Sequence, residues 1–382
     1  MKVLITGGAG FIGSHLSKVL VQQGFEATIL DNLSPQIHGS DGRFSPSLTG
    51  IARCVRGDIC DTRLVGELIE HQDVIIHLAA ETGTGQSMYA IEDYGRVNVL
   101  GTSVLLDRIV NGRPKKLRKL VVASSRAVYG EGEYLCSIHG HVFPAPRTVE
   151  NMAAGRFEPL CPQCGEDVAS VATTEATPFG PSSFYGLTKQ MQEQMVLMFA
   201  GAIGIDGFAL RYQNVYGPGQ SLTNPYTGIL AIFSNLVRQG KGLNVFEDGR
   251  ESRDFVYIDD AVSATAACVD PDVHGVTALN VGSGVRTSIL DVANAVVHHF
   301  KADVPVAVTG AFRVGDIRHN FADLSRIASL TGFTPRWAFE EGVAQFLGWA
   351  EGCAASDAGF DRSLEELKQR GLMQSGPVSS QR

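Results

Sequence analysis

No apolar run in this chain of 382 residues approaches the ~20 consecutive residues that a membrane-spanning helix needs, so the sequence predicts no membrane partner. Positive charge is also short: 32 Lys and Arg stand against 40 Asp and Glu, a formal net charge of -8 with a pI near 5.7. That balance opposes loose attraction to nucleic acid and to anionic membrane surfaces, and it leaves small-molecule chemistry as the favoured class. No secretory leader is expected either. Met1-Lys2 runs into Val3-Leu4-Ile5 without a basic segment, a long apolar stretch or a small-residue cleavage site, which leads us to expect a cytoplasmic protein. Cysteine is too sparse for a disulfide framework: Cys54, Cys60, Cys268 and Cys353 are scattered, and the other three cluster between 136 and 164, a pattern that suits metal binding. No internal repeat is visible.

What is there is an ordinary globular balance, 44% hydrophobic and 19% charged, over a length that suits one large unit or two packed domains. Strand-like stretches at 2–6, 26–30, 73–77 and 118–123 alternate with helix-like ones at 11–23, 61–70 and 94–111. This alternation predicts βαβ units and an α/β fold with a doubly wound parallel sheet. Helical period resumes at 185–203, and Gly207 to Arg211 is a further strand candidate for the same sheet. Residues 131–180, rich in Gly, Pro, His and Cys and almost without period, read as an inserted module. The sequence thus divides into a first domain over 1–220, a smaller substrate-side domain over 221–355, with turns marked by Pro218-Gly219 and Asn224-Pro225, and an extension over 356–382. From about 372 that extension is Ser, Gln, Gly and Pro without period and is expected to fray.

The first strand ends at Thr6-Gly7-Gly8-Ala9-Gly10-Phe11-Ile12-Gly13, a Gly-rich turn opening a helix. Gly7 and Gly10 let the backbone approach a pyrophosphate, Gly13 allows close helix packing, and the helix N-terminus supplies free N–H groups; this is a Rossmann-type dinucleotide turn. The next strand ends in Asp31, placed to accept from an adenosine ribose. Its charge opposes a 2′-phosphate and no Arg follows at once in Asn32-Leu33-Ser34, so NAD is expected rather than NADP. Asp58, beside Ile59, is a candidate acceptor for the adenine amino group, or a plain turn residue.

Tyr185 and Lys189 stand four apart at the start of a predicted helix, on one face of it. An ammonium nearby favours phenolate, and a phenol so tuned can act as a base toward an alcohol. Ser125 follows the strand 118–123, at the end of the sheet where ligands bind, and can polarise a substrate oxygen.

These motifs resemble those of the extended short-chain dehydrogenase/reductase family, the NAD-dependent nucleotide-sugar epimerases and dehydratases, over residues 1 to about 350 apart from the insert. Ile76-His77-Leu78-Ala79-Ala80, Val97-Asn98 and Arg211-Tyr212-Gln213-Asn214-Val215-Tyr216-Gly217-Pro218-Gly219 match in order. The resemblance implies Ser125 as the hydroxyl on the reacting sugar oxygen, Tyr185 as base and Lys189 on the nicotinamide ribose. It implies that Leu78, Ala79 and Ala80 line the cofactor, that Asn98 supports the active-site backbone and that Asn214 touches the nucleotide diphosphate. Arg253 and Arg313 resemble the family's diphosphate-binding arginines, and planar cationic donors suit a pyrophosphate. It also implies a homodimer paired through the helices 94–111 and 185–203, with Met191, Met195, Val196 and Met198 on the second. The family's 4,6-dehydratases carry an acidic pair after the serine or threonine, whereas this chain has Arg126-Ala127, with Arg126 a substrate contact. Elimination is therefore not expected, and oxidation at C4 with return of the hydride is.

Within the insert, Cys136-x-x-His139-Gly140 and Cys161-Pro162-Gln163-Cys164-Gly165 form two knuckles that suit a tetrahedral structural Zn, with His141 a rival for His139. A Cys/His insert just before the tyrosine resembles a sub-branch, the dTDP-L-rhamnose 4-epimerases, whose sugar product is dTDP-6-deoxy-L-talose. Two other readings stay open: C4 epimerisation of UDP-glucose or a UDP-uronic acid, and an NAD(H)-sensing regulator without catalysis.

Overall fold

Seven parallel strands form the central sheet of the computed structural model, which describes residues 1–40, 42–224, 226, 228–354 and 359–376. Across the sheet they run Val276–Val281, Asp206–Tyr212, Lys119–Ser125, Val74–His77, Lys2–Thr6, Glu26–Asp31, Arg53–Arg56. Val3, Leu4, Ile5, Ile75, Ile76, Leu120, Val121 and Val122 are fully buried, as strands covered on both faces require. The helices Thr62–Ile69, Gly101–Gly112 and Phe184–Ile203 cover one face through Val65, Leu105, Ile109 and Val196. Phe11–Gln22 and Ile258–Cys268 cover the other through Leu16, Leu20, Ala261 and Val262. The strand order reverses between Lys2–Thr6 and Val74–His77, which opens a crevice beyond the strand carboxyl ends.

Four expectations need correction. The strand Val276–Val281 pairs with Asp206–Tyr212, and one buried cluster runs from Val3 and Ile5 to Leu230, Val292 and Phe346. The sheet and its core thus draw on both sides of the division expected at residue 220. The helix expected over 94–111 is broken into Ile91–Tyr94, a π-helical stretch Gly95–Leu100 and Gly101–Gly112, with Val97 and Asn98 turned inward. Such stretches re-aim side chains, here Asn98 toward the site. The insert has more regular structure than its composition indicates: Tyr134–Cys136 pairs antiparallel with both Gly140–Val142 and Ala169–Ser170 around Tyr134, Cys136, Val142 and Cys161. The chain near 372 is anchored, since Met373–Gln374 pairs with Phe312–Arg313 and Met373 is buried. The remainder of the expected fraying, 377–382, and Pro225 of the expected turn lie outside the described residues.

Of the apolar stripe on Phe184–Ile203, Val196 is buried against the sheet and Met195 packs beside it, while Met191 and Met198 are exposed. Among the described residues no helix is long and apolar enough to cross a membrane.

Candidate active site

The crevice is a cleft of about 650 Å³ that runs from the Gly-rich turn past Ser125 and Tyr185 to Arg253 and Arg313. At its dinucleotide end, Gly7 has φ +68°, and a Cβ there would lie 2.7 Å from the Ala79 nitrogen; one on Gly13 would lie 2.6 Å from the Gly8 Cα. Only glycine lets the first turn pass this close to the neighbouring strand and helix. Gly10 precedes Phe11–Gln22 without any side-chain cap, so the helix presents free N–H groups and its positive end to the cleft, where Phe11 and Ile12 line the wall. Asp31 is fixed by the Ala9 N–H at 3.0 Å and the Leu33 N–H at 2.9 Å, and it lines the cleft with Asn32 and His38. Leu78, Ala79 and Ala80 form the opposite side. Of its two expected roles, Asp58 makes the contacts of a turn residue: it accepts from the Cys60 N–H at 2.9 Å and pairs with Arg96 at 3.0 Å, while Gly57 and Ile59 form the cleft wall. Asn98 accepts from the Glu81 N–H at 2.8 Å and donates to Thr188 at 2.9 Å, tying the loop after Val74–His77 to the helix that carries Tyr185.

At the centre of the cleft, Ser125 ends its strand and its Oγ accepts from the Ala127 N–H at 3.2 Å. Ser183 caps Phe184–Ile203, and the Tyr185 N–H donates to Ser87 Oγ at 3.0 Å, which sets the helix start. Lys189 donates to the Ala123 carbonyl at 3.0 Å and lies 5.9 Å from the Tyr185 ring centre. Burial pulls the Lys189 ammonium down to about 7. The expected lowering of the phenol by that ammonium is not found: burial raises Tyr185 above its ordinary value, and the Ser125 hydroxyl and the Arg126 charge offset only part of it. Arg126, whose charge lowers the phenol, donates to Asn214 at 2.8 Å; burial and Arg253 lower it to about 9, so it stays charged at neutral pH.

Beneath the site lies a buried ion pair that sequence reasoning missed. Ser124 donates to Glu193 at 2.6 Å, Arg211 grips the same carboxylate with Nε at 3.0 Å, and its guanidinium lies 4.7 Å from the Tyr129 ring centre. Glu193 falls one turn after Lys189, and that spacing was the only available signal.

At the far end the two arginines differ. Arg253 is buried and already donates to Ser252 O and Arg318 O, and to Asp316 Oδ1 and Ile317 O at 2.8 Å each, leaving Nε–H for a ligand. Arg313 is a third exposed, lies 5.2 Å from the Phe246 ring centre, and its Nε–H has no partner. Asp316 lies between them, 2.8 Å from Arg253 and 3.3 Å from Arg313; burial opposes its charge, and the surrounding arginines hold its carboxyl well below the usual range. An anion with several oxygens fits this end.

Outside the cleft, Cys136, His139, Cys161 and Cys164 bring one ligand atom each within 4.8 Å of one another. Cys136 Sγ lies 3.8 Å from Cys164 Sγ and 3.7 Å from His139 Nδ1, and Cys161 Sγ lies 3.5 Å from His139 Nδ1. A tetrahedral zinc with bonds of about 2.3 Å to sulfur and about 2.0 Å to nitrogen spaces its ligands roughly 3.8 Å and 3.5 Å apart, so the residues fit that ion. His141 is engaged elsewhere, 2.7 Å from Glu133 Oε1.

Comparison with known proteins agrees with this geometry. A model of the NAD dependent epimerase/dehydratase family matches residues 3–149 and 161–282. The dTDP-L-rhamnose 4-epimerase of Burkholderia thailandensis is 40% identical over 350 residues, 91% of this chain and 94% of that relative. A UDP-N-acetyl-alpha-D-glucosaminuronate decarboxylase of Bacillus cytotoxicus is 29% identical over 91% of this chain and 97% of its own length. Among solved structures, the UDP-glucuronic acid 4-epimerase of Bacillus cereus, in complex with UDP-glucuronic acid and NAD, superposes with a TM-score of 0.75 at 25% identity, covering 92% of this chain and 99% of that one. With a dinucleotide turn, a serine, tyrosine and lysine at one crevice and a family model spanning most of the sequence, this chain belongs to the NAD dependent epimerase/dehydratase family and is an enzyme.

Proposed function

We propose that the enzyme inverts C4 of a nucleotide-activated sugar with bound NAD, converting dTDP-L-rhamnose to dTDP-6-deoxy-L-talose. The observation that carries this reading is one cleft with a hydroxyl, a phenol and an ammonium at its centre and two arginines at its far end, and with Arg126-Ala127 where elimination needs acidic groups. The Burkholderia relative supports the choice of sugar. Epimerisation of a UDP-sugar is the second reading, supported by the Bacillus cereus neighbour.

When bound, NAD supplies an acceptor for the C4 hydride and a donor for its return. Tyr185 removes the proton of the C4 hydroxyl as phenolate, and Ser125 donates a hydrogen bond to the forming carbonyl oxygen. Lys189, held by Ala123, holds the nicotinamide ribose. Arg313 and the free Nε–H of Arg253 grip the diphosphate while the 4-keto sugar turns about its link to phosphate and presents its other face. The experiment is a panel of dTDP- and UDP-sugars deuterated at C4, incubated without added cofactor. The dTDP-L-rhamnose reaction should run fastest and retain the label in the epimer; washout to solvent would mean carbon deprotonation and sink the mechanism.

Asp31 carries the cofactor choice. NAD should bind at least tenfold more tightly than NADP, and Asp31→Ala should narrow the gap by removing repulsion against the 2′-phosphate. Equal affinity of the unmodified enzyme for both would contradict it.

The same reading places zinc in the Cys136, His139, Cys161, Cys164 cluster as a structural staple, remote from the hydride chemistry. It also pairs two copies through the exposed Leu100, Leu187, Met191 and Met198, which two-fold contact would cover; mass in solution is the measure.

A further inference from the structure

The insert does more than decorate the sheet. Arg147, which it carries, is only 3% exposed in its side chain, yet every terminus of its guanidinium is engaged. Nε donates to Glu131 at 3.0 Å, Nη1 to the Phe157 carbonyl at 3.1 Å and to Glu247 at 2.9 Å, and Nη2 to the main-chain carbonyl of Asp316 at 3.0 Å. Glu131 accepts in turn from the Arg318 N–H at 2.7 Å, and Glu158, also from the insert, grips the Arg318 guanidinium at 2.8 Å and His319 at 3.1 Å. Met152 and Phe157 pack on Phe312, directly before Arg313. The segment 312–319 is therefore clamped from the insert at both ends and in the middle. This is the segment whose Asp316 carboxylate and Ile317 and Arg318 carbonyls orient Arg253, and which carries Arg313 itself.

We propose that Arg147 is a positioning residue for diphosphate recognition, through which the insert sets the enzyme's affinity for its nucleotide sugar. The inference rests on the functional reading above. A planar guanidinium suits the task, because it joins two carboxylates and two carbonyls from four segments in a fixed fork, which a lysine ammonium cannot do. The arginine touches no ligand; it acts by holding Asp316, and a shifted Asp316 leaves Arg253 and Arg313 free to repel one another instead of converging on an anion. Loss of the clamp should weaken binding of the second phosphate and leave the proton and hydride steps, some distance along the cleft, unchanged.

The test is calorimetric binding of TDP and TMP to the full-length, NAD-loaded enzyme and to Arg147→Lys and Arg147→Met, with KM and kcat measured alongside. The ratio of TDP to TMP affinity should fall by about tenfold in Arg147→Met and by less in Arg147→Lys, KM should rise in parallel, and kcat and NAD content should stay within about threefold of the unmodified enzyme. Arg147→Met removes a buried cation from Glu131 and Glu247, which keep only the Arg318 N–H and the Arg318 guanidinium respectively; if it does not fold, Arg147→Lys decides alone, and a threefold fall in its ratio supports the proposal. An unchanged ratio, or TDP and TMP weakened equally, overturns it. Failure of the unmodified enzyme to bind either TDP or UDP would instead overturn the functional reading.

Discussion

Tyr185→Phe is expected to lower turnover by about a hundredfold or more, the scale of a lost general base, with little change in nucleotide-sugar or NAD binding. The substitution removes one oxygen and keeps the ring, whose edge contact with Tyr94 at 6.3 Å between centroids holds the helix start in place together with the bond from the main-chain N–H of residue 185 to Ser87. Neither neighbour can take over. Ser125 is an alcohol whose proton is held far more tightly than a phenol's, and Lys189 is tied to the Ala123 carbonyl. The pH dependence has a definite sign. Because burial raises the phenol above its ordinary value, the phenolate fraction at neutral pH is small and grows as pH rises, so turnover of the unmodified enzyme should climb toward alkaline pH. The Phe variant should lack that limb. A variant retaining more than about a tenth of turnover, with the climb intact, would remove Tyr185 from the role of base.

What could be read ahead of the structure was what short sequence windows encode. The Gly7 to Gly13 turn, the strand ending in Asp31 and the four-residue step from Tyr185 to Lys189 are local, and residues close in sequence are close in space there. The strand Arg53–Arg56 escaped because its end residues are charged and no apolar run marks it. Val276–Val281 has Thr277 and Asn280 among its apolar residues, and nothing in those six residues says which sheet they join; its partner strand begins seventy positions earlier. The direction of the Tyr185 shift was misjudged for a related reason: spacing reports that a lysine is near, and says nothing of the burial that outweighs it. Nothing in the residues around Asp316 marks a role for it, since its importance comes from Arg147, 169 positions away.

That long reach gives the zinc prediction its weight. The insert has only Tyr134, Cys136, Val142 and Cys161 as its own core, with Val168 beside them, too little apolar surface to hold its hairpin closed unaided. Two of those four are proposed zinc ligands, so the ion and the core are the same structure. Structural zinc sites contribute on the order of 10 kcal/mol or more to the fold they close, and Tyr134, Val142 and Val168, the members of this core that are not ligands, supply less at about 1.5–3 kcal/mol each. Freshly purified enzyme should therefore hold about one zinc per chain, and Cys161→Ser should lose it, because three ligands bind far more weakly than four. Once the metal is gone, protease should cut within 131–180 while the sheet stays intact and NAD stays bound, since no residue lining the cleft lies in that stretch. Arg147 and Glu158 would then no longer hold the 312–319 segment, and TDP affinity should fall at least as far as in Arg147→Met. Metal analysis that finds no zinc in chelator-free preparations would sink the staple. Zinc present but removable, with TDP affinity unaltered, would leave the staple standing and separate it from the substrate site.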